Sequence, residues 1–123
     1  MPHQLMSVVI VVLLVLLLYA CAAVHYTVHP GALNSMDSAA YDALLIAETT
    51  IDQARADIQA GQLPAGAKDA LAKLVTVYNL ARESWLTYRG AITTNIPSDV
   101  YLNQLNRNLR DLAAAVQKFQ EEK

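Results

Sequence analysis

Hydrophobic and polar positions divide the chain into one unbroken apolar run and three periodic stretches. From Leu5 to Val24 the sequence reads LMSVVIVVLLVLLLYACAAV, 20 residues in which only Ser7 is plainly polar. At ~1.5 Å rise per residue a helix of this length crosses the ~30 Å hydrocarbon layer of a bilayer, so the run predicts a membrane-directed helix. The periodic stretches come later. Tyr41, Leu44, Leu45, Ala47, Ile51, Ala54 and Ile58 recur at helical spacing, with Leu44, Ile51 and Ile58 seven residues apart. Leu71, Tyr78 and Trp85 form a second series beside Leu74, Ala81 and Tyr88. Leu102, Leu109 and Val116 form a third beside Leu105, Leu112 and Phe119.

Turn signals separate these stretches. Pro30-Gly31 sits in HYTVHPGALNS, a tether over residues 25–34, and Asn34, Ser35 or Asp37 can cap the helix that follows. GQLPAGAK, opening on Gly61, and AITTNIPSD, following Gly90, make the two connections, and Ser98 or Asp99 can cap the last helix. The pattern predicts an all-α chain: a membrane-directed segment over 1–24, then an up-down-up three-helix bundle over 35–123, with helices near 36–60, 66–89 and 98–121. Short connections make neighbouring helices antiparallel. In the last helix the 102-109-116 series is expected to be the more central, with Asn108 on the wet side.

Charge changes the picture in two ways. Residues 1–24 hold no Asp, Glu, Lys or Arg, so all eleven acids and nine bases lie in the remainder, at a net charge of -2. Such a near-neutral, slightly acidic body argues against nucleic acid as a partner, since binding it requires a basic face that displaces counterions. The first bundle helix carries five acids against Arg55 and the second four bases against Asp69 and Glu83, a complementarity that favours their pairing but adds little stability. Cys21 is the sole cysteine, so no internal disulfide exists.

Leu18-Tyr19-Ala20-Cys21 resembles the lipobox of bacterial lipoproteins: an aliphatic residue, a variable position, a small residue and cysteine. The resemblance covers these four residues and implies a diacylglyceryl group on the Cys21 sulfur, with Cys21 the mature N-terminus. Acyl chains then hold the body on a membrane, at ~0.8 kcal/mol per buried methylene. Tyr19 is bulky for its place, and MPHQLM lacks the Lys or Arg that usually precedes a signal core. Two other fates stay open: an uncleaved anchor that retains Met1, and ordinary signal-peptidase cleavage after a small-x-small sequence, Ala20-Cys21-Ala22. The body is expected outside the cytoplasm, in the bacterial periplasm or at the cell surface.

Chemistry is sparse. His25 and His29 are four apart, a spacing compatible with a metal, but Pro30 follows at once, and His3 is separated from them by the apolar run. Glu48 and Asp52, with Asp42 and Asp57 nearby, look like a solvated helical face rather than an acid–base pair. Ser84 and Thr93-Thr94 have no activating histidine nearby in the sequence. No catalytic residues, metal site or cofactor are expected. The aromatic residues carry more information: Tyr41, Trp85, Tyr88 and Tyr101, with Ile92 and Ile96, should fall at the bundle end nearest the tether. Core packing accounts for them most simply; an interfacial belt or a partner-facing pole is the sharper reading. Three functions fit: a membrane-anchored structural or protein-interaction module of the bacterial envelope; a single-span accessory subunit of a larger membrane complex; and a small-ligand carrier.

Overall fold

The computed structural model describes residues 6–15 and 27–123. The chain is all-α, with no strand among the described residues. Its helices are α1 over residues 6–15, α2 (Ser35–Gln59), α3 (Ala67–Thr93) and α4 (Asp99–Glu122). Every residue of α1 is exposed, and its large apolar side chains are 43 to 66 % accessible. Among the described residues no helix is long and apolar enough to cross a membrane. Leu5 and residues 16–24 of the apolar run, Leu18, Tyr19, Ala20 and Cys21 included, lie outside the described residues, as do His3 and His25.

The remaining helices share one core, and their contacts fix their directions. The start of α2 meets the end of α3, where Asp37 bonds Trp85 and Arg89. Gly66, which caps α3, lies 3.9 Å from the Glu122 carboxylate at the end of α4, measured from where a Cβ would stand. Phe119 of α4 lines a groove with Gln53, Ala54 and Asp57 of α2. Hence α3 runs antiparallel to both neighbours, and α2 and α4 run the same way. The α3–α4 contact is the most extensive.

On α2 the buried face is Asp37, Ala40, Leu44, Ala47, Ile51 and Ala54. Three of these are alanines seven residues apart, so the buried face of α2 contributes modest apolar area. Ile58, expected on that face, is exposed, as are Tyr41 and Leu45. α3 buries Leu71, Leu74, Ala81 and Tyr88, whereas Val75, Tyr78 and Trp85 are half-buried at its flanks. On α4 the fully buried series is Leu105, Leu112 and Phe119. Leu102, Leu109 and Val116 pack at its edge, so the expected order of the two series is reversed. The reason is that α4 faces both α2 and α3, and the 105-112-119 stripe points between them.

Asn108 is corrected with it. Its amide donates to the Ser84 hydroxyl and, at 3.4 Å, to the Leu80 carbonyl, joining α4 to α3. Asn108→Ala is therefore expected to cost ~1 kcal/mol, the net worth of a typical hydrogen bond, rather than nothing. Urea melts of the two proteins give the difference directly, and equal midpoints would contradict the interhelical bond.

Helix ends follow local chemistry. Asn34, in extended backbone, accepts the Asp37 N–H through its side chain at 2.8 Å and caps α2. α2 stops at Gly61, whose φ of 68° permits a left-handed closing turn with bonds Gly61 N–H to Ile58 O and Gln62 N–H to Asp57 O. Gly90, expected to end α3, lies inside it. The same closing turn falls five residues later on Asn95, at φ 56°, with Ile96 N–H bonded to Ala91 O and Asn95 N–H to Ile92 O. Asparagine tolerates that conformation better than other non-glycine residues. Ser98 stands at the cap position of α4 but makes no side-chain capping bond.

Candidate functional site at the tether end of the bundle

The densest polar arrangement lies where the tether meets the bundle, and Asp37 is its centre. Asp37 is the third residue of α2 and is 1 % exposed. Its Oδ1 accepts the Trp85 indole N–H at 2.6 Å. Its Oδ2 accepts the Arg89 guanidinium at 2.8 Å and the Leu33 backbone N–H, also at 2.8 Å. A buried carboxylate is tolerable because three donors and an opposite charge surround it. The Arg89 guanidinium lies 5.2 Å from the centre of the Trp85 ring, a cation–π contact that holds both side chains over the carboxylate. This is the direct ion pair between α2 and α3; Asp52 instead faces Arg55 of its own helix at 3.8 Å, in solvent.

The tether is fastened to the same place. Pro30 and Gly31 form a tight turn closed by Ala32 N–H to His29 O at 3.1 Å, with Gly31 at φ 84° as the second central residue requires. The His29 backbone N–H donates to the Ser38 hydroxyl at 2.9 Å, and its ring nitrogen Nε2 meets Asp42. The His29 ring also packs edge-on against Tyr41, 5.1 Å between centres. The Asn34 amide reaches across to the Tyr88 hydroxyl at 3.0 Å. Residues 29–34 are thus bound to both α2 and α3. Between the tether turn and the helices lies an open cleft of about 380 Å³, lined by His29, Asp37, Ser38, Tyr41, Trp85 and Arg89.

The expected pole residues are split by this arrangement. Tyr41 and Trp85 come together, with ring centres 6.2 Å apart. Tyr88 is buried, its hydroxyl committed to Asn34, and Ile92 packs beside it on Ala40 and Leu105. Ile96 is exposed in the α3–α4 connection. Tyr101 lies round the bundle in a groove with Leu80, Thr87 and Val100, away from Tyr41. The polar centre, Asp37 with Arg89, was not singled out by patterning. Two signals point to it: Asn34-x-x-Asp37 has the spacing of a reciprocal capping pair, and Trp85 and Arg89 are one helical turn apart.

The other candidates are ordinary. Glu48 and Asp52 are exposed. Ser84 donates to the Leu80 carbonyl at 3.0 Å, and Thr93 and Thr94 to the Gly90 carbonyl at 3.1 and 2.7 Å, each a local helix bond. Burial, and then the Glu48 carboxylate beside it, raises the Tyr78 phenol above its usual range. No group of three or more His, Cys, Asp or Glu that could hold a metal occurs among the described residues. No protein family, no curated protein and no solved structure matches the chain.

Proposed function

We propose that the chain is a membrane-anchored helical module with a structural or protein-interaction role, held outside the cytoplasm by a lipid group on Cys21 in the manner of a small bacterial envelope lipoprotein. The observation that carries this reading is α1. Ten consecutive residues, nine of them apolar, are exposed on every side and pack into no core. A helix that is apolar all round requires an apolar surrounding, and the 20-residue run to which it belongs is long enough for a bilayer. The body needs no help from α1, because its core is assembled from α2, α3 and α4. Its clefts are open grooves at the surface, which favours contact with a partner over enclosure of a small ligand.

The alternative is a single-span accessory subunit that retains Met1. The same uncovered α1 supports it, since a helix of a larger membrane complex offers an apolar surrounding as readily as lipid does.

Cys21→Ser separates the two. For a lipoprotein the serine variant is expected to accumulate as precursor and to lose all labelling by radioactive palmitate, because the diacylglyceryl group is transferred to a thiol. Mass spectrometry of the N-terminus of the unaltered chain should then show acylated Cys21. An intact Met1 in both proteins would replace the lipoprotein reading with the span, and normal processing of the serine variant would replace it with ordinary cleavage.

A further inference from the structure

The tether leaves very little free chain between the apolar run and the bundle. From Cys21, the anchored residue of a lipoprotein, to His29 is eight residue steps, ~28 Å at full extension; for a retained span the count starts at Val24 and gives ~18 Å. His29 is fastened beside Ser38 and Asp42, three and seven residues into α2, which is ~5 to 10 Å up the side of the bundle at 1.5 Å per residue. Part of the free length is therefore used in running back to the end of the bundle. Under the anchored reading, on which this inference rests, that end stands within roughly 25 Å of the membrane anchor.

The same end is apolar where it has no need to be. Val100, in the first turn of α4, is 73 % exposed; Ile96, in the connection before it, is 52 % exposed; Leu33, just before the α2 cap, is 37 % exposed. None of the three completes the core. Its charged groups are Arg89, committed to Asp37, Asp42, which meets the His29 ring, and Asp99 in the first turn of α4. Lys68 and Lys73 belong to the opening turns of α3, Lys118 and Lys123 to the end of α4, and Arg55 to the later half of α2, all toward the far end. Arg82, Arg107 and Arg110 lie on the exposed sides of α3 and α4, two turns or more from this end. This end therefore lacks the basic cluster that would make an anionic surface its partner.

We propose that the end bearing Leu33, Ile96 and Val100 rests in the headgroup region of the bilayer, a second and non-covalent contact beside the anchor. Branched apolar side chains at a helix start suit the boundary between headgroups and acyl chains. The contact can be weak, because a short leash makes it intramolecular, with an effective concentration on the order of millimolar. It fixes the bundle upright and turns the opposite end, with the Gly61–Gly66 connection and the α4 terminus, away from the lipid.

The test uses the full chain in its own membrane, with the photo-crosslinking residue p-benzoylphenylalanine placed singly at position 96, 100, 45 or 62. Ile96, Val100, Leu45 and Gln62 are all exposed, so each replacement leaves the core intact. Positions 96 and 100 are expected to give phospholipid adducts several-fold above position 62, little changed by salt. Protein adducts at 96 and 100 would overturn the lipid contact in favour of a partner protein. Lipid adducts at 45 but not at 96 or 100 would overturn it in favour of a bundle lying on its α2 side. A membrane-bound chain with no lipid adduct at any position overturns the contact alone. A chain recovered free of the membrane, with neither Met1 nor acylated Cys21, overturns the anchored reading and the contact together.

Discussion

Arg89→Ala is expected to destabilise the bundle by ~3 kcal/mol, near the lower end of what breaking a buried ion pair costs. The figure is at that end because the Arg89 side chain is itself one-third exposed. The loss arises on the other side of the pair: Asp37 stays buried, with the Trp85 and Leu33 N–H groups as donors and no opposing charge. Asp37→Asn should cost less, ~1 to 2 kcal/mol, since an amide oxygen still accepts one of those donors and the charge left unpaired is the partly exposed Arg89 rather than a buried carboxylate. A double variant provides the diagnostic. Asp37→Asn combined with Arg89→Ala should lose less in urea melts than Arg89→Ala alone, because the buried charge is gone with its partner. An equal or larger loss would mean that Arg89 acts only through its packing on Trp85.

The second large effect belongs to the α4 core stripe. Leu112 is almost wholly buried in the shared core, and Leu112→Ala is expected to cost ~2 to 5 kcal/mol, the transfer loss plus the cavity left behind. For a body of this size, with a total stability of ~5 to 10 kcal/mol, that removes a large share of the margin and lowers the denaturant midpoint steeply. Leu109→Ala, at the half-buried edge, should cost clearly less, and Asn103→Ala, on the exposed face, less than ~0.5 kcal/mol. The order Leu112, Leu109, Asn103 in denaturant midpoints tests the phase of α4. A larger effect at Leu109 would mean that α4 is rotated about its axis from the position described here.

Large apolar residues made the helices legible in the sequence, and residues with weak or double meanings hid the rest. Leu71, Leu74, Leu105, Leu112 and Phe119 declare their faces because only burial accounts for their spacing. Ala40 carries no such signal, since alanine is common on any helix surface, yet it is fully buried, like Ala47 and Ala54 on the same face. Ile58 carried a false one: it continues the heptad of Leu44 and Ile51, but α2 ends one residue later and the face has run out of partner. Gly90 misled for the opposite reason. Glycine is tolerated inside a helix at modest cost, and the stop was supplied by Asn95, the less usual left-handed residue. The centre of the tether-end site was hidden because an aspartate in a first turn reads as a capping group and an arginine on a helix as a solvated charge. Only the fold brings residues 37, 85 and 89 together.

The fastening of residues 29–34 also sets how the molecule carries mechanical load. Any pull applied to the chain ahead of the bundle enters at His29 and Leu33 and is passed at once to α2 through Ser38, Asp42 and Asp37. Asn34 and Asp37 divert part of it to α3 through Tyr88, Trp85 and Arg89. α2 is the helix with the fewest large buried side chains, and α3 with α4 form the more extensive pair. The pull is therefore shared with the stronger pair before it can peel the weaker helix away. Under steady extension the tether clasp should act as the fuse, lengthening the leash while the α3–α4 hairpin stays folded.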